Sequence, residues 1–271
     1  NPDVLCNREI KFDVFLKEAL KLGADYVATG HYCRKDVVTG SDGRPVYRLL
    51  AGSDPNKDQS YFLCQLSQEQ LSRALFPVGG LLKPEVRRIA AEQKLASRKG
   101  AIHEILPTWR GYERQPRPDD LRALAAPYRY TVRDGKKIGE HNGAHFYTIG
   151  QRKGLGVGGR PEPLFIIATD VNENVIYVGQ GDDHPGLYRR ALHIASDQMH
   201  WVRPDLRMNE GERRRYSVRI RYRQPLQAAE LIAAGDGFYI LFDEPQRGIT
   251  AGQFAAWYDG DELVGSGVIE Q

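Results

Sequence analysis

The sequence predicts an α/β unit followed by a predominantly β half, within 271 residues. Three observations carry this expectation. A helical apolar period over residues 8–22 runs directly into a short apolar strand that ends at Gly30-His31, the helix-then-buried-strand order of α/β units. From residue 131 onward, short strand-like segments separated by turn residues replace the helical period. Between the two, over 97–130, periodicity gives way to arginine and proline, the composition of an irregular basic linker.

In the first segment, Phe12, Phe15, Leu16, Ala19 and Leu20 fall on one face of a helix, with Asn7 as its predicted N-cap and Gly23 as its stop. Ala24 to Thr29 reads as a buried strand. Ligands of α/β sheets gather outside the carboxyl ends of strands, where Gly30 and His31 would lie. A strand-like stretch over 46–66 contains the charged turn Asp54 to Ser60. Ser67 and Gln70 make a capping box, with Leu66 and Leu71 as the hydrophobic staple. A further helix starts at Lys83-Pro84. Within 97–130 only Leu121 to Ala126 suggests a helix.

In the β half, Asp134-Gly135 is a hairpin signal after Tyr130–Arg133. A second hairpin is predicted for Phe165–Thr169 and Val175–Val178, turning at Asn172-Glu173-Asn174. Strands follow at Ser217–Tyr222, Phe238–Phe242 and Phe254–Tyr258, the last closed by Asp259-Gly260. Several short strands with regular turns suggest a small barrel or sandwich, from about Ala191 onward.

Hydrophobic residues make 41% and charged residues 27% of the chain, ordinary values for a globular protein. No apolar run reaches the length of a membrane span and no signal peptide is visible, so no membrane partner is expected. The formal charge of +3 admits a polyanionic partner without demanding one. Three widely spaced cysteines, Cys6, Cys33 and Cys64, form no CxxC pair and no zinc-ligand pattern with the seven histidines. A disulfide scaffold and a metal centre are not expected, and a reducing, cytoplasmic compartment is. The opening on Asn1-Pro2, without a methionine, reads as the middle of a larger domain.

Cys6 is the first chemical candidate. A cysteine just ahead of a helix start would feel the positive end of the helix dipole, with Arg8 and Lys11 adding to it; the competing reading is a small residue closing a turn. His31, after a strand and a glycine, could face a nucleotide or phosphate, or be an ordinary core histidine. Lys57-Asp58-Gln59 places a cation, a carboxylate and an amide on one turn, which a solvated loop would also do. Gly154-Leu155-Gly156 is not a dinucleotide fingerprint, because Arg160-Pro161 follows rather than a helix. Its glycines beside Arg152 and Lys153 instead make a basic loop able to meet phosphates, or a simple turn between strands. Arg219, Arg221, Tyr222 and Arg223, downstream of Arg213–Arg215, suit RNA stacking and backbone contact, or an outer charged strand face.

Taken together these segments resemble one family. Asn1-Pro2-Asp3-Val4-Leu5-Cys6-Asn7, Ala28-Thr29-Gly30-His31-Tyr32, Lys57-Asp58-Gln59-Ser60-Tyr61-Phe62-Leu63, Phe76-Pro77-Val78-Gly79, Tyr147-Thr148-Ile149-Gly150-Gln151-Arg152-Lys153-Gly154-Leu155-Gly156, Arg221-Tyr222-Arg223-Gln224 and Ala251-Gly252-Gln253 are similar, in this order, to the tRNA-specific 2-thiouridylases. The resemblance spans nearly the whole chain apart from about 97–130. It implies a partial Rossmann-like ATP-pyrophosphatase (PP-loop) domain over 1–96, a basic linker over 97–130, a small tRNA-contacting domain over 131–190 and a β-barrel over 191–271. The implied activity is ATP-dependent replacement of the C2 oxygen of a tRNA wobble uridine by sulfur, through adenylation and a cysteine persulfide charged by a sulfur-relay protein.

By the same resemblance Cys6 is the first catalytic cysteine, and Asn1, Pro2 and Asp3 meet the target base, Asp3 with an acid–base role. Gly30 contacts ATP, which would bring magnesium. His31, Lys57, Asp58, Gln59, Arg221, Tyr222 and Gln253 contact tRNA, joined by the basic loop of Arg152 and Lys153. Two departures stand out. The Ser-Gly-Gly-x-Asp-Ser loop of the family is not among these residues. Nor is its second cysteine, in place of which the chain reads Arg98-Lys99-Gly100-Ala101-Ile102-His103. These departures support an alternative, a non-catalytic tRNA-binding remnant. A different ATP-pyrophosphatase enzyme would explain the α/β part but neither the Gln-Arg-Lys loop nor Arg221-Tyr222.

Overall fold

A computed structural model describes residues 2–92, 120–141, 143–157, 159 and 161–270. Its first element differs from the sequence expectation. Helix α1 (Pro2–Leu5), a π-helical stretch (Cys6–Val14) and α2 (Phe15–Lys21) run on without a break. Asn7 is therefore inside the helix and caps nothing. It is buried, and its side-chain amide donates to the Phe62 carbonyl at 3.0 Å. Buried positions step from Val4 to Asn7, Phe12 and Leu16. The five-residue step from Asn7 to Phe12 crosses the wider π turns. That shift is why Phe15, predicted for the inner face, is 57% exposed. Gly23 stops the helix as expected, in the left-handed region at φ 89°.

Strand β1 (Val27–Ala28) follows and pairs in parallel with β4 (Ala74–Leu75). It is shorter than the predicted 24–29, but Gly30-His31 does leave its carboxyl end. Next comes a hairpin, β2 (Cys33–Thr39) and β3 (Pro45–Ala51), of which only the second strand was expected. The turn 54–59 leads into a 3-10 turn at Ser60–Leu63. Helix α3 (Gln68–Arg73) opens with the predicted capping box, and Leu66 and Leu71 are fully buried beside it. Helix α4 (Lys83–Glu92) begins at Lys83-Pro84 as read from the sequence. Residues 97–119 of the linker lie outside the described residues; α5 (Leu121–Ala125) follows them.

The hairpin expected at Asp134-Gly135 does not form. Thr131 donates both its N–H (2.6 Å) and its hydroxyl (2.8 Å) to the Asp134 carboxylate, a local turn that takes the place of a strand ladder. The second hairpin does form, from β5 (Leu164–Asp170) and β6 (Val175–Gln180), with Asn174 at φ 53° in its turn.

The remaining strands are β7 (Tyr188–Ala195), β8 (Met199–Trp201), β9 (Arg213–Arg219), β10 (Gln227–Ala234), β11 (Gly237–Arg247), β12 (Phe254–Asp259) and β13 (Glu262–Val268). They order as β13-β12-β9-β10-β11-β7, with β8 on β13. Beyond β13 the Glu270 N–H donates to the His193 carbonyl of β7 at 3.0 Å, so the sheet curls toward closure. Trp257, Val218, Leu231, Ile240 and Phe242 fill its interior. The β2–β3 hairpin joins the same sheet, because β3 pairs antiparallel with β13. A second core, with Phe12, Tyr61, Leu63, Cys64, Phe254 and Tyr258, seals the α/β part against the barrel. The molecule is an α/β unit continued by β structure, as the sequence predicted.

Candidate nucleic-acid interface

On the first turns of the helix, positions i and i+3 share a face. Val4 and Asn7 take the inner face and Asp3 and Cys6 the outer one, where both are exposed. Pro2 starts this helix and Asn1 lies outside the described residues. Cys6 is one turn inside the helix rather than ahead of it, so the dipole argument for its thiol, confined to a helix's first turn, does not hold. Its accessibility still sets it apart. Cys33 and Cys64 are fully buried, and burial pushes their thiols up, Cys64 to about 12. Among the three cysteines Cys6 alone is exposed.

His31 packs beside the same helix, its ring 6.3 Å from that of Phe12 and 6.5 Å from that of Phe76. Its Nδ1 shares a hydrogen bond with Thr29 Oγ1 at 2.8 Å. Burial, with the charge of Lys11 adding to it, lowers the imidazole pKa to about 4. His31 is thus neutral at physiological pH, a hydrogen-bonding and stacking group. A Cβ on the neighbouring Gly30 would meet nothing within 4 Å, which leaves that edge open.

The turn 54–59 is tied down from both sides. Gln59 and Tyr32 exchange hydrogen bonds, Gln59 N–H to the Tyr32 carbonyl (2.9 Å) and Tyr32 N–H to Gln59 Oε1 (3.1 Å). Asp58 is buried and turned inward. Its carboxylate accepts from the N–H groups of Gly52 (3.1 Å) and Ser60 (3.0 Å) and pairs with Arg219 at 3.0 Å. The Arg219 guanidinium in turn lies over the Tyr258 ring at 4.8 Å. Asp58 therefore serves this surface by holding Lys57 and Gln59 in place, and its side chain does not point outward as the resemblance implied.

Just past β9 the chain presents Tyr222 to the same turn. Phe62 lies 4.2 Å away ring to ring, and Arg223 sits over its face at 5.9 Å. Arg221 donates to the Arg247 carbonyl (2.7 Å) and to that of Gly248. Gly248 requires its glycine: φ is 65°, and a Cβ there would stand 2.2 Å from Arg221 Nη2 and 3.5 Å from the Ile149 carbonyl. Ile149 opens the Gly150-Gln151-Arg152-Lys153 loop, which is pinned to β5 by Gly150 N–H on the Ile166 carbonyl (2.7 Å) and Ile166 N–H on the Gln151 carbonyl (3.0 Å). Arg152 and Lys153 form no ion pair among the described residues. Gln253 precedes Phe254, whose carbonyl accepts from the Tyr61 hydroxyl at 3.0 Å.

Contacts of their neighbours therefore tie together the segments that carry these residues: Asn7 to Phe62, Tyr32 to Gln59, Phe62 to Tyr222, Arg221 to Gly248 and Tyr61 to Phe254. Arg213, Arg214 and Arg215 behave differently, each paired to a carboxylate: Glu230 (3.1 Å), Glu212 (2.7 Å) and Asp243 (2.6 Å). Two residues essential to the arrangement were not site candidates in the sequence: Asn7, read there as an N-cap, and Phe62. Their signal was their place within motifs whose other members carry obvious chemistry.

Three spans of the chain match known families. Residues 1–101 match the family described as tRNA methyl transferase HUP domain, 128–180 the tRNA methyl transferase PRC-barrel domain, and 192–269 the aminomethyltransferase beta-barrel domain. The chain is 55% identical to the tRNA-specific 2-thiouridylase MnmA of Christiangramia forsetii, over 99% of this chain and 76% of the relative. The corresponding protein of Flavobacterium johnsoniae is 52% identical over the same shares. The chain belongs to the tRNA-specific 2-thiouridylase family. A more distant relative, from Pseudomonas aeruginosa, keeps 47% identity across 100% of the chain and 70% of its own length. No helix among the described residues is long and apolar enough to cross a membrane, and none of their His, Cys, Asp and Glu side chains group in threes to hold a metal ion.

Proposed function

We propose that this chain acts in 2-thiouridine synthesis on tRNA, exchanging the C2 oxygen of a wobble uridine for sulfur. The observation that carries the reading is 55% identity to a 2-thiouridylase along 99% of the chain. The junction described above supplies what such a substrate requires: a neutral histidine and an aromatic pair for bases, and unpaired cations on separate loops for a long polyanion. Asn1, Pro2 and Asp3 hold the target base, and Asp3 exchanges protons with it. Lys57, Gln59, Arg152, Lys153, Arg221, Tyr222, His31 and Gln253 grip the tRNA.

Cys6 is the sulfur-handling group. Its thiolate attacks the inner sulfur of a persulfide R–S–S–H carried by a relay protein, forming the disulfide Cys6–S–S–R and releasing hydrosulfide. ATP use follows from the family. Gly30 offers one open edge toward a nucleotide, but no Ser-Gly-Gly-x-Asp-Ser loop occurs in the 271 residues, so the residues present do not by themselves cradle a pyrophosphate. Magnesium would enter with ATP.

The test is mass spectrometry of tRNA nucleosides after incubation with the chain, ATP and a persulfide donor. The reading expects 2-thiouridine. Salt-sensitive tRNA binding without thiolation would establish instead the binding remnant.

A further inference from the structure

Three cations near the turn 54–59 are left over once ion pairs are assigned. The Lys57 N–H donates to the Asp54 carbonyl at 2.9 Å, and the Lys83 N–H to Asp54 Oδ2 at 3.0 Å. One aspartate thus fixes the backbone of both lysines, one on a turn and one at the start of α4. The charge of Lys57 acts on the Lys83 ammonium, and Arg87, one turn along α4, adds its own. Asp54 is only 6% exposed and spends its other oxygen on the Asn56 N–H at 3.0 Å. Glu85, the acid in the first turn of α4, accepts from the Leu82 N–H at 2.7 Å.

None of Lys57, Lys83 and Arg87 forms an ion pair among the described residues, whereas the adjacent Arg88 pairs with Glu92 at 2.6 Å. The crowding registers on Lys83, whose pKa is lowered first by Lys57, then by burial and Arg87. Backbone anchoring that presses two ammonium groups together is unfavourable unless an anion is shared between them.

We propose that Lys57, Lys83 and Arg87 bind a backbone phosphate of tRNA, extending the RNA interface from the turn 54–59 onto the first two turns of α4. The inference rests on the tRNA reading above. Ammonium groups are compact point charges suited to a phosphate oxygen, while the amide and aromatic groups suited to bases lie across the turn at Gln59, Phe62 and Tyr222. The cluster also borders Tyr32, which lies within reach of the charges of Asp54 and Arg87, so a nucleotide phosphate is the rival source.

The experiment is tRNA binding by the full chain across a salt series, comparing wild type with Lys83→Ala, Arg87→Ala and Arg88→Ala. Lys83→Ala keeps the backbone N–H that Asp54 anchors, and circular dichroism checks each variant's fold. The slope of log K against log salt shrinks by about 0.7–1 for Lys83→Ala and for Arg87→Ala, and holds for Arg88→Ala. Unchanged slopes for the first two overturn the phosphate site and leave the tRNA reading intact. Absence of tRNA binding by the wild type overturns both. Weakened binding of a fluorescent ATP analogue, with the tRNA slope unchanged, assigns the cations to a nucleotide and likewise overturns the proposal.

Discussion

His31 couples the stability of this protein to acid. Its pKa in the folded chain, lowered to about 4 mainly by burial, lies below the 6.5 of an unfolded histidine. Above pH 6.5 the ring is neutral in both states and its packing contributes in full. As pH falls through 6.5 toward 4 the unfolded chain takes up the proton first, so that contribution drains away. Between pH 7 and pH 5 the wild type should lose about 1–2 kcal/mol more than His31→Gln does. Urea titrations at the two pH values measure this, and equal losses would refute it. Cys6 gives a second prediction at this scale. Cys6→Ser should abolish thiolation and leave tRNA affinity within about twofold, since an exposed sulfur supports no packing. Thiolation persisting in this variant would remove Cys6 from the chemistry. The accessibility of Cys6 follows from the helix's position, which sequence could not supply: asparagine is a favoured N-cap, so Asn7 read as a helix start, while its amide is in fact spent on Phe62.

The elements that place these residues meet at the Asp58–Arg219 pair, whose side chains are 5% and 11% exposed. Removing the arginine leaves a buried carboxylate without its counter-charge and frees the turn that carries Lys57 and Gln59. Arg219→Ala should cost about 3–5 kcal/mol and weaken tRNA binding with it; chemical denaturation at pH 7 reading less than about 1 kcal/mol would contradict this. Element legibility varied for physical reasons. The Ser67–Gln70 capping box is wholly local, so its sequence signature and its hydrogen bonds coincide. Strand β2 hid because Arg34-Lys35-Asp36 interrupts its apolar alternation. Those charges are satisfied at long range, Lys35 by the carbonyls of Leu71 (3.0 Å) and Ser72 (3.2 Å) and Arg34 by the Ala51 carbonyl (2.9 Å). The Asp134 turn misled in the opposite sense, since one carboxylate captures the donors a ladder would need. Of the candidate site, residue types and motifs were readable, whereas the inward turn of Asp58 depends on Arg219, which is distant in sequence.

At the scale of the molecule, family matching divides the chain at 101 and 192, but the hydrogen bonds and cores cross that division. Strand β13 pairs with β12 on one side and with β3 on the other. Glu262 at its start binds both Arg48 (2.6 Å) and Arg203, while the neighbouring Asp261 backbone accepts from the Ala51 N–H at 2.8 Å. Deeper in, the Gln65 amide donates to Ser266 Oγ at 2.7 Å, whose hydroxyl donates to the Cys64 carbonyl at 2.8 Å. Domains joined only by a linker unfold independently; here the α/β part cannot lose its core without stripping β13 of a neighbour and exposing Phe254 and Tyr258. The two parts should therefore unfold in one transition. Tryptophan fluorescence in a Trp109→Phe background follows Trp201 and Trp257 of the barrel, and reaction of Cys64 with a thiol reagent in a Cys6→Ser, Cys33→Ala background follows the α/β part. Coincident urea midpoints are expected, and a Cys64 transition at clearly lower urea than the tryptophan one would show the α/β part to be a separate cooperative unit. Coupling of this kind holds Cys6 on one segment at a fixed distance from Arg152, Lys153 and Arg221 on two others, the geometry that the sulfur delivery proposed above demands.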